Sequence, residues 1–485
     1  MAGLARCGET AYHPLRLSCQ TRMSRSPSTS RRAFLRASLL TSAVFGAEPA
    51  LSQTSARKAA ENKGRAKNVI FMVSDGMNIG ALSMAKLYGG LVEERKNNWM
   101  QLYRERTVVR CLAETYSANS IVTDSAAAAS AWGGGQRVNN GVINFLPDGT
   151  ALTPLHAKLQ KQGIRTGLVS TATITHATPA GFVVNVPNRG EEKEIAQQYF
   201  DRGVDLMLGG GRKFFSPELR GKFSAAGYDL VEDRDALSKL DNSSFKPLLG
   251  LFSESHHAYD IDRKNVPGLA DTLPSLTEMT RTALARFSAA KDGFFLMVEG
   301  ARIDHAGHAN DAAASIHDQL AFDEAVGTAV EFTTKNPDTL LIITTDHGCG
   351  GIQMNGVSAS ANQGFAPGLY NATTQSFLRL KGSNRSLEWM KQNGVDGLSG
   401  PKLREAFQQY TGLALTEDQI KAIQGLKLPA TSDVMKQYTG VGWTSANHTS
   451  DLVEFCAFGP GSHLFSPYLW NNEVHNLLLR AMEIA

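Results

Sequence analysis

The sequence predicts an α/β fold: a mostly parallel central sheet with helices on both faces. Two observations carry that expectation. Short apolar runs of strand length alternate with helical patterns along the 485 residues, the signature of parallel strands joined by crossover helices. Several of those runs end in a carboxylate or histidine, and in such sheets the working groups gather beyond the carboxyl ends of the strands. With 42% hydrophobic residues, the chain can fill a large core.

The N-terminus reads as a separate segment. Residues 1–52 hold seven arginines, no lysine and two glutamates, a net of +5. The whole chain carries +3, so the remainder is at −2, and no basic excess is left to argue for nucleic acid. Ser30-Arg31-Arg32-Ala33-Phe34-Leu35-Arg36 is a twin-arginine pattern ahead of a short apolar stretch from Ala37 to Ala47. That layout predicts an export signal over 1–52, cleaved near Ala50-Leu51-Ser52, and a periplasmic or secreted protein. Met23 is an alternative start. Residues 53–67 read as a flexible leader and 68–485 as one catalytic domain. No stretch is long and apolar enough for stable membrane insertion.

Asn68 to Ser74 predicts a strand ending at Asp75-Gly76, followed by a helix from Ile79 to Leu87. Val122 to Trp132 (VTDSAAAASAW) places turn residues before strong helix formers, so a helix should begin at Ser125. Free N–H groups and the positive end of the helix dipole there favour an anion beside the hydroxyl. The plainer reading of Ser125 is an ordinary helix cap. Thr153-Pro154 should cap and open a helix closed by Gly163, with a strand from Arg165 to Thr171.

The pattern then recurs. Phe294 to Val298 predicts a strand ending at Glu299, and Ala312 to Thr333 a helix with Ile316, Leu320, Ala325 and Val330 close to one face. Thr339 to Thr345 predicts a strand ending at Asp346-His347, and Leu452 to Phe458 a final strand. Residues 355–440, rich in Gly, Asn, Ser and Gln, are expected as an insertion near the site, with a capping box at Thr416 to Gln419.

Glu299 to His308 packs two carboxylates and two histidines into what reads as a single loop after an apolar strand. Such density calls for compensation, which a divalent cation supplies. Mixed His/Asp donors suit zinc, and all-oxygen sets suit magnesium. His256-His257 reads as a surface pair, and Gly133 to Gly135 and Gly209 to Gly211 as tight turns, since no lysine and serine follow as in a phosphate loop. Cys111, Cys349 and Cys456 are too few and too scattered for a disulfide framework, though one bridge fits the count.

Six motifs in order resemble the alkaline phosphatase family: SDGM at Asp75, VTDSA at Ser125, HATPAGFVVNVPNR from His176 to Arg189, VEGARIDHAGH from Val298 to His308, TTDHG at Asp346-His347 and SANHTS at His448. The resemblance implies an alkaline phosphatase-like fold and hydrolysis of small-molecule phosphate monoesters through a phosphoserine on Ser125. It implies one Zn2+ on Asp304, His308 and His448, a second on Asp75, Asp346 and His347, and a third metal, normally Mg2+, on Asp75, Thr178 and Glu299. Arg189 would grip the phosphoryl group, oriented by Asp124. Members are often homodimers. His176 and His305 stand where many members carry aspartate and lysine; an imidazole near the third site favours Zn2+ there, and the missing lysine implies weaker phosphate retention. His305→Lys should then slow turnover. The alternatives are a phosphodiesterase or sulfatase-like hydrolase of the same superfamily, and a non-catalytic phosphate- or metal-binding protein.

Overall fold

A computed structural model of the chain describes residues 64–289, 291–356 and 374–484. The expected export signal, nearly all of the leader and residues 357–373 of the expected insertion lie outside them.

The strands are β1 (Asn68–Val73), β2 (Val109–Ala113), β3 (Arg165–Thr173), β4 (Leu206–Gly210), β5 (Asp229–Val231), β6 (Leu248–Leu251), β7 (Phe294–Glu299), β8 (Thr339–Thr344), β9 (Gly348–Cys349), β10 (Gln353–Met354), β11 (Val441–Gly442), β12 (His448–Thr449), β13 (Val453–Phe458) and β14 (Tyr468–Leu469). Among the described residues ten form one sheet in the order β14-β2-β13-β8-β1-β7-β3-β4-β6-β5. Every pairing is parallel except those of β13, which runs antiparallel to β2 and β8. The sheet is therefore mostly parallel, as the alternation of strand and helix patterns predicts.

β1 is fully buried and divides its side chains between two cores. Val69, Phe71 and Val73 pack with Trp132, Phe182 and Phe295 on one face. Ile70 and Met72 pack with Met84, Leu296 and Phe322 on the other. Period-2 alternation in a strand covered on both sides requires this division, and each large apolar side chain so buried contributes about 1.5–3 kcal/mol. The helices that matter to the site are α1 (Ile79–Leu91), α2 (Ser125–Gly134), α3 (Ala177–Gly181), α4 (Arg302–His308), α5 (Ala312–Lys335) and α6 (Leu387–Gln392).

Register places the site. Val73 of β1 is level with Glu299 of β7 and Thr344 of β8, and Ser170 of β3 is level with Glu299. Asp75, Glu299 and Asp346 therefore leave the sheet side by side at one edge.

Several local expectations shift. Gly209 and Gly210 are strand residues of β4, where a Cβ on Gly210 would lie 2.0 Å from the Ser255 carbonyl oxygen. Gly133 and Gly134 end α2, and only Gly135 adopts a positive φ. Pro154 is itself the N-cap of a helix over Leu155–Gln160, so Thr153 does not cap it. β14 follows the strand expected to be last. β2, β4, β5 and β6, each of three to five residues, are too short to show a clear period in sequence. Residues 374–440 form short helices around an apolar cluster of their own, including Leu387, Met390, Leu403, Phe407 and Ile423, and the Thr416 to Gln419 capping box is formed.

Candidate active site

α2 begins at Ser125, but Asp124 is the cap. Asp124 Oδ1 accepts from Ala127 N at 3.0 Å, and Oδ2 accepts from Gly141 N at 2.9 Å and from Arg189 Nη1 at 3.0 Å. A carboxylate outcompetes a hydroxyl for the first free N–H groups, which overturns the reading of Ser125 as the cap. The Ser125 hydroxyl, 1% exposed, instead sits 3.2 Å from His347 Nε2. Small residues let α2 come close to α3. A Cβ on Gly133 would meet the Gly181 carbonyl oxygen at 2.0 Å, and one on Gly181 would meet Ala129 Cβ at 2.5 Å.

Around Ser125 the strand ends converge in three donor sets: Asp75 with Asp346 and His347; Asp75 with His176 and Glu299; and Asp304 with His308, His448 and Cys349. Within each set the ligand atoms lie within 4.8 Å of one another. The segment expected as a loop is in part a helix, α4, on which Asp304 and His308 stand at i and i+4 and so project from one face. Thr178, in the first turn of α3, is fully buried against Glu299. The tertiary structure thus brings together Asp75, Ser125, Thr178, Glu299, Asp304, His308, Asp346, His347 and His448, with Asp124 and Arg189 alongside. It places His176 nearer than the expected second shell, with a ring nitrogen in the Asp75–Glu299 set. His176 Nε2 also accepts from Arg189 Nη2 at 2.9 Å.

These residues fit divalent cations. Asp75 Oδ1 and Oδ2, Glu299 Oε1, Asp304 Oδ1 and Asp346 Oδ2 are buried acceptors without a hydrogen-bond partner. Orphaned buried carboxylate oxygens are costly unless a cation meets them. His308 Nδ1 donates to the Ala446 carbonyl at 2.7 Å and His448 Nδ1 to the Thr123 carbonyl at 2.8 Å. Those bonds leave both Nε2 lone pairs bare, 3.0 Å apart and each 3.4 Å from an Asp304 oxygen. That is how backbone carbonyls orient histidines toward a metal.

The local electrostatics agree. Burial, then the carboxylates of Asp346, Asp304 and Glu299, push Asp75 well above the usual carboxylate range. Burial lifts Glu299 to about 7, against the opposing hydrogen bond from Ser170. Burial also pushes Asp304 up, but its neighbours His448, His347 and His308 outweigh it and hold Asp304 well below the carboxylate range.

Four residues near the site escape sequence reasoning. His257 is 3% exposed, and the His256 ring lies 4.6 Å from that of His305 and 5.7 Å from that of His176. The expected surface pair is therefore packed beside the site, because the loop after β6 returns across the carboxyl edge. Arg302, 2% exposed, donates to His305 Nδ1 at 2.5 Å and to Glu388 Oε1 of α6 at 2.7 Å. It also stacks on Tyr259. Cys349 is buried in the third donor set, and Cys111, Cys349 and Cys456 are all free, so the bridge allowed by the cysteine count is not formed. A lone cysteine and an i+3 arginine carry no sequence signal of their own; only the histidine pair drew notice.

Fold and site first define a class: a doubly covered parallel sheet with a buried serine at a helix start and three donor sets at its carboxyl edge. The alkaline phosphatase family model matches residues 66–484, and the chain belongs to that family of metal-dependent enzymes. It is 31% identical to alkaline phosphatase 3 of Bacillus subtilis over 470 residues, covering 93% of this chain and 96% of the relative. The crystal structure of Thermus thermophilus alkaline phosphatase matches with TM-score 0.78 and 32% identity, over 87% of this chain and 92% of that one. The cold-active alkaline phosphatase of a psychrophilic Shewanella matches with TM-score 0.73 and 27% identity, over 86% and 99%.

Proposed function

We propose that the chain hydrolyses phosphate monoesters through a covalent phosphoserine on Ser125, with release of an alcohol and inorganic phosphate. The observation that carries this reading is the position of Ser125 Oγ, in the first turn of α2 and 3.2 Å from His347 Nε2, among buried carboxylate oxygens without a hydrogen-bond partner. Two zinc ions would be held by Asp304, His308 and His448 and by Asp75, Asp346 and His347, and a third metal, magnesium or zinc, by Asp75, Glu299 and Thr178 with His176 beside it. When bound, these cations supply Lewis-acid charge at the attacking and leaving oxygens and ease deprotonation of the serine and of water.

The chain's own groups do the rest. Ser125 Oγ gives up its proton and attacks phosphorus in line; the P–O bond to the alcohol breaks and the alcohol departs with a proton. Water then attacks the phosphorus of phosphoserine; the P–Oγ bond breaks, inorganic phosphate leaves, and a water proton restores the Ser125 hydroxyl. Arg189 presents a planar fork to two non-bridging oxygens, which a lysine cannot match, and Asp124 holds that fork at 3.0 Å. The α2 N-terminus adds its N–H groups to the developing charge.

Purified protein, assayed with a chromogenic monoester and a diester with and without a chelator, tests this. Monoesterase activity that vanishes on chelation and in Ser125→Ala is expected; monoesterase activity surviving both would overturn the mechanism. Faster diester than monoester turnover would favour the phosphodiesterase alternative. The twin-arginine pattern supports export by that route, and Arg31→Lys with Arg32→Lys should block it. No described helix is long and apolar enough to cross a membrane.

A further inference from the structure

Cys349 shares a donor set with Asp304, His308 and His448, its ligand atom within 4.8 Å of each of theirs. Two unrelated parts of the fold put it there. β9 pairs antiparallel with β12, and Cys349 stands directly opposite His448, so the two side chains share one face of the ribbon. From the other side comes α4. Its Gly307, between Asp304 and His308, is so close that a Cβ would fall 2.8 Å from Cys349 Cβ and 2.9 Å from Sγ. Cys349 N also donates to the Gly76 carbonyl at 2.9 Å, one residue from Asp75. The thiol is thus clamped between the strand that carries one ligand and the helix that carries two others.

The pocket it faces calls for a cation. Asp304 is 4% exposed, and its Oδ1 is buried without a hydrogen-bond partner. The bare Nε2 atoms of His308 and His448 lie 3.0 Å apart. Cys349 is itself 1% exposed, so its sulfur has no solvent to turn toward.

We propose that Cys349 is a fourth protein ligand, as thiolate, of the ion held by Asp304, His308 and His448, so that a reacting oxygen would have to enter as a fifth ligand. The inference rests on the reading of that set as a metal site. A sulfur donor shifts the set toward zinc and cobalt and away from magnesium and manganese, which prefer oxygen. As the sulfur–metal bond forms, the thiol proton passes to water, so metal uptake at this site is accompanied by proton release.

The test is reconstitution of the metal-stripped full chain with Co2+. A thiolate ligand gives an intense sulfur-to-cobalt charge-transfer band in the near ultraviolet, whereas histidine and carboxylate ligands give only the weak visible bands. The expected result is that wild type shows both and Cys349→Ser keeps the visible bands but loses the charge-transfer band. Retained visible bands also report that the variant folds. Zinc affinity of that site in Cys349→Ser, measured against a competing chelator, should fall at least about tenfold. The other four cysteines remain in both proteins, so the loss reports Cys349 alone. Visible bands without charge transfer in wild type would overturn the role of Cys349 while leaving the metal site standing. No Co2+ uptake in Ser125→Ala and wild type alike would overturn the metal reading itself.

Discussion

Asp124 and Glu299 show how single side chains set the site's tolerance. Asp124 caps α2, binds Gly141 N and aims Arg189, so Asp124→Ala removes three bonds at once. The lost cap alone should cost about 1 kcal/mol, read as a lower thermal midpoint. The freed Arg189 should raise KM for a monoester more than it lowers metal content. Glu299 makes a pH prediction for metal-stripped protein. Its folded pKa is raised from 4.5 to about 7, so the folded state binds its proton more tightly than the unfolded one. The destabilisation is absent below pH 4.5 and complete above about 7. Glu299→Gln should therefore stabilise stripped protein above pH 7 and leave it little changed near pH 4.5, while weakening metal retention. Equal melting shifts at both pH values would refute the burial account.

At the scale of elements, the site is held by joints between segments far apart in sequence. Arg302 on α4 ties His305 to Glu388 on α6. Nearby, Asp262 accepts from Ser386 N at 2.9 Å, and Asp311 accepts from Leu387 N at 2.6 Å. Helix α6 is thereby moored to α4 by one ion pair, and to Asp262 and the Asp311 cap of α5 by two carboxylate–amide bonds. Glu388 is 38% exposed at its side chain, so Glu388→Gln should cost no more than about 1 kcal/mol in stability. Its effect should instead appear in kinetics, as an altered KM absent from the surface control Glu331→Gln. The arrangement also changes the expectation for His305→Lys. Arg302 already supplies a cation beside that ring, so an introduced ammonium would meet like charge, and reduced turnover should come with reduced stability.

For the whole molecule, one edge of the sheet collects charge that the fold does not neutralise by itself. Asp75, Glu299, Asp304 and Asp346 are each no more than 4% exposed. An ion at a hundred times its dissociation constant stabilises the folded state by about 2.7 kcal/mol per site. Chelation should lower the thermal midpoint by several degrees, zinc should restore most of the loss, and magnesium alone only part. An unchanged midpoint after verified metal removal would show that these carboxylates are accommodated some other way.

Much of this was legible in the sequence because it is local. Strand and helix periods and the Asp346-His347 step off β8 are short-range patterns. Each survives without knowledge of its neighbours. The choice between Asp124 and Ser125 as cap is also local, yet it turned on one residue of register that competing hydrogen bonds decide. Only the tertiary structure levelled β1, β7 and β8 so that three carboxylates emerge together, since parallel register is fixed by burial on both faces rather than by any one strand. Only it returned His256 beside His305, and set Cys349 opposite His448 through a ribbon two residues long. Those contacts join residues about fifty to a hundred positions apart, and no period or propensity within either segment encodes the other.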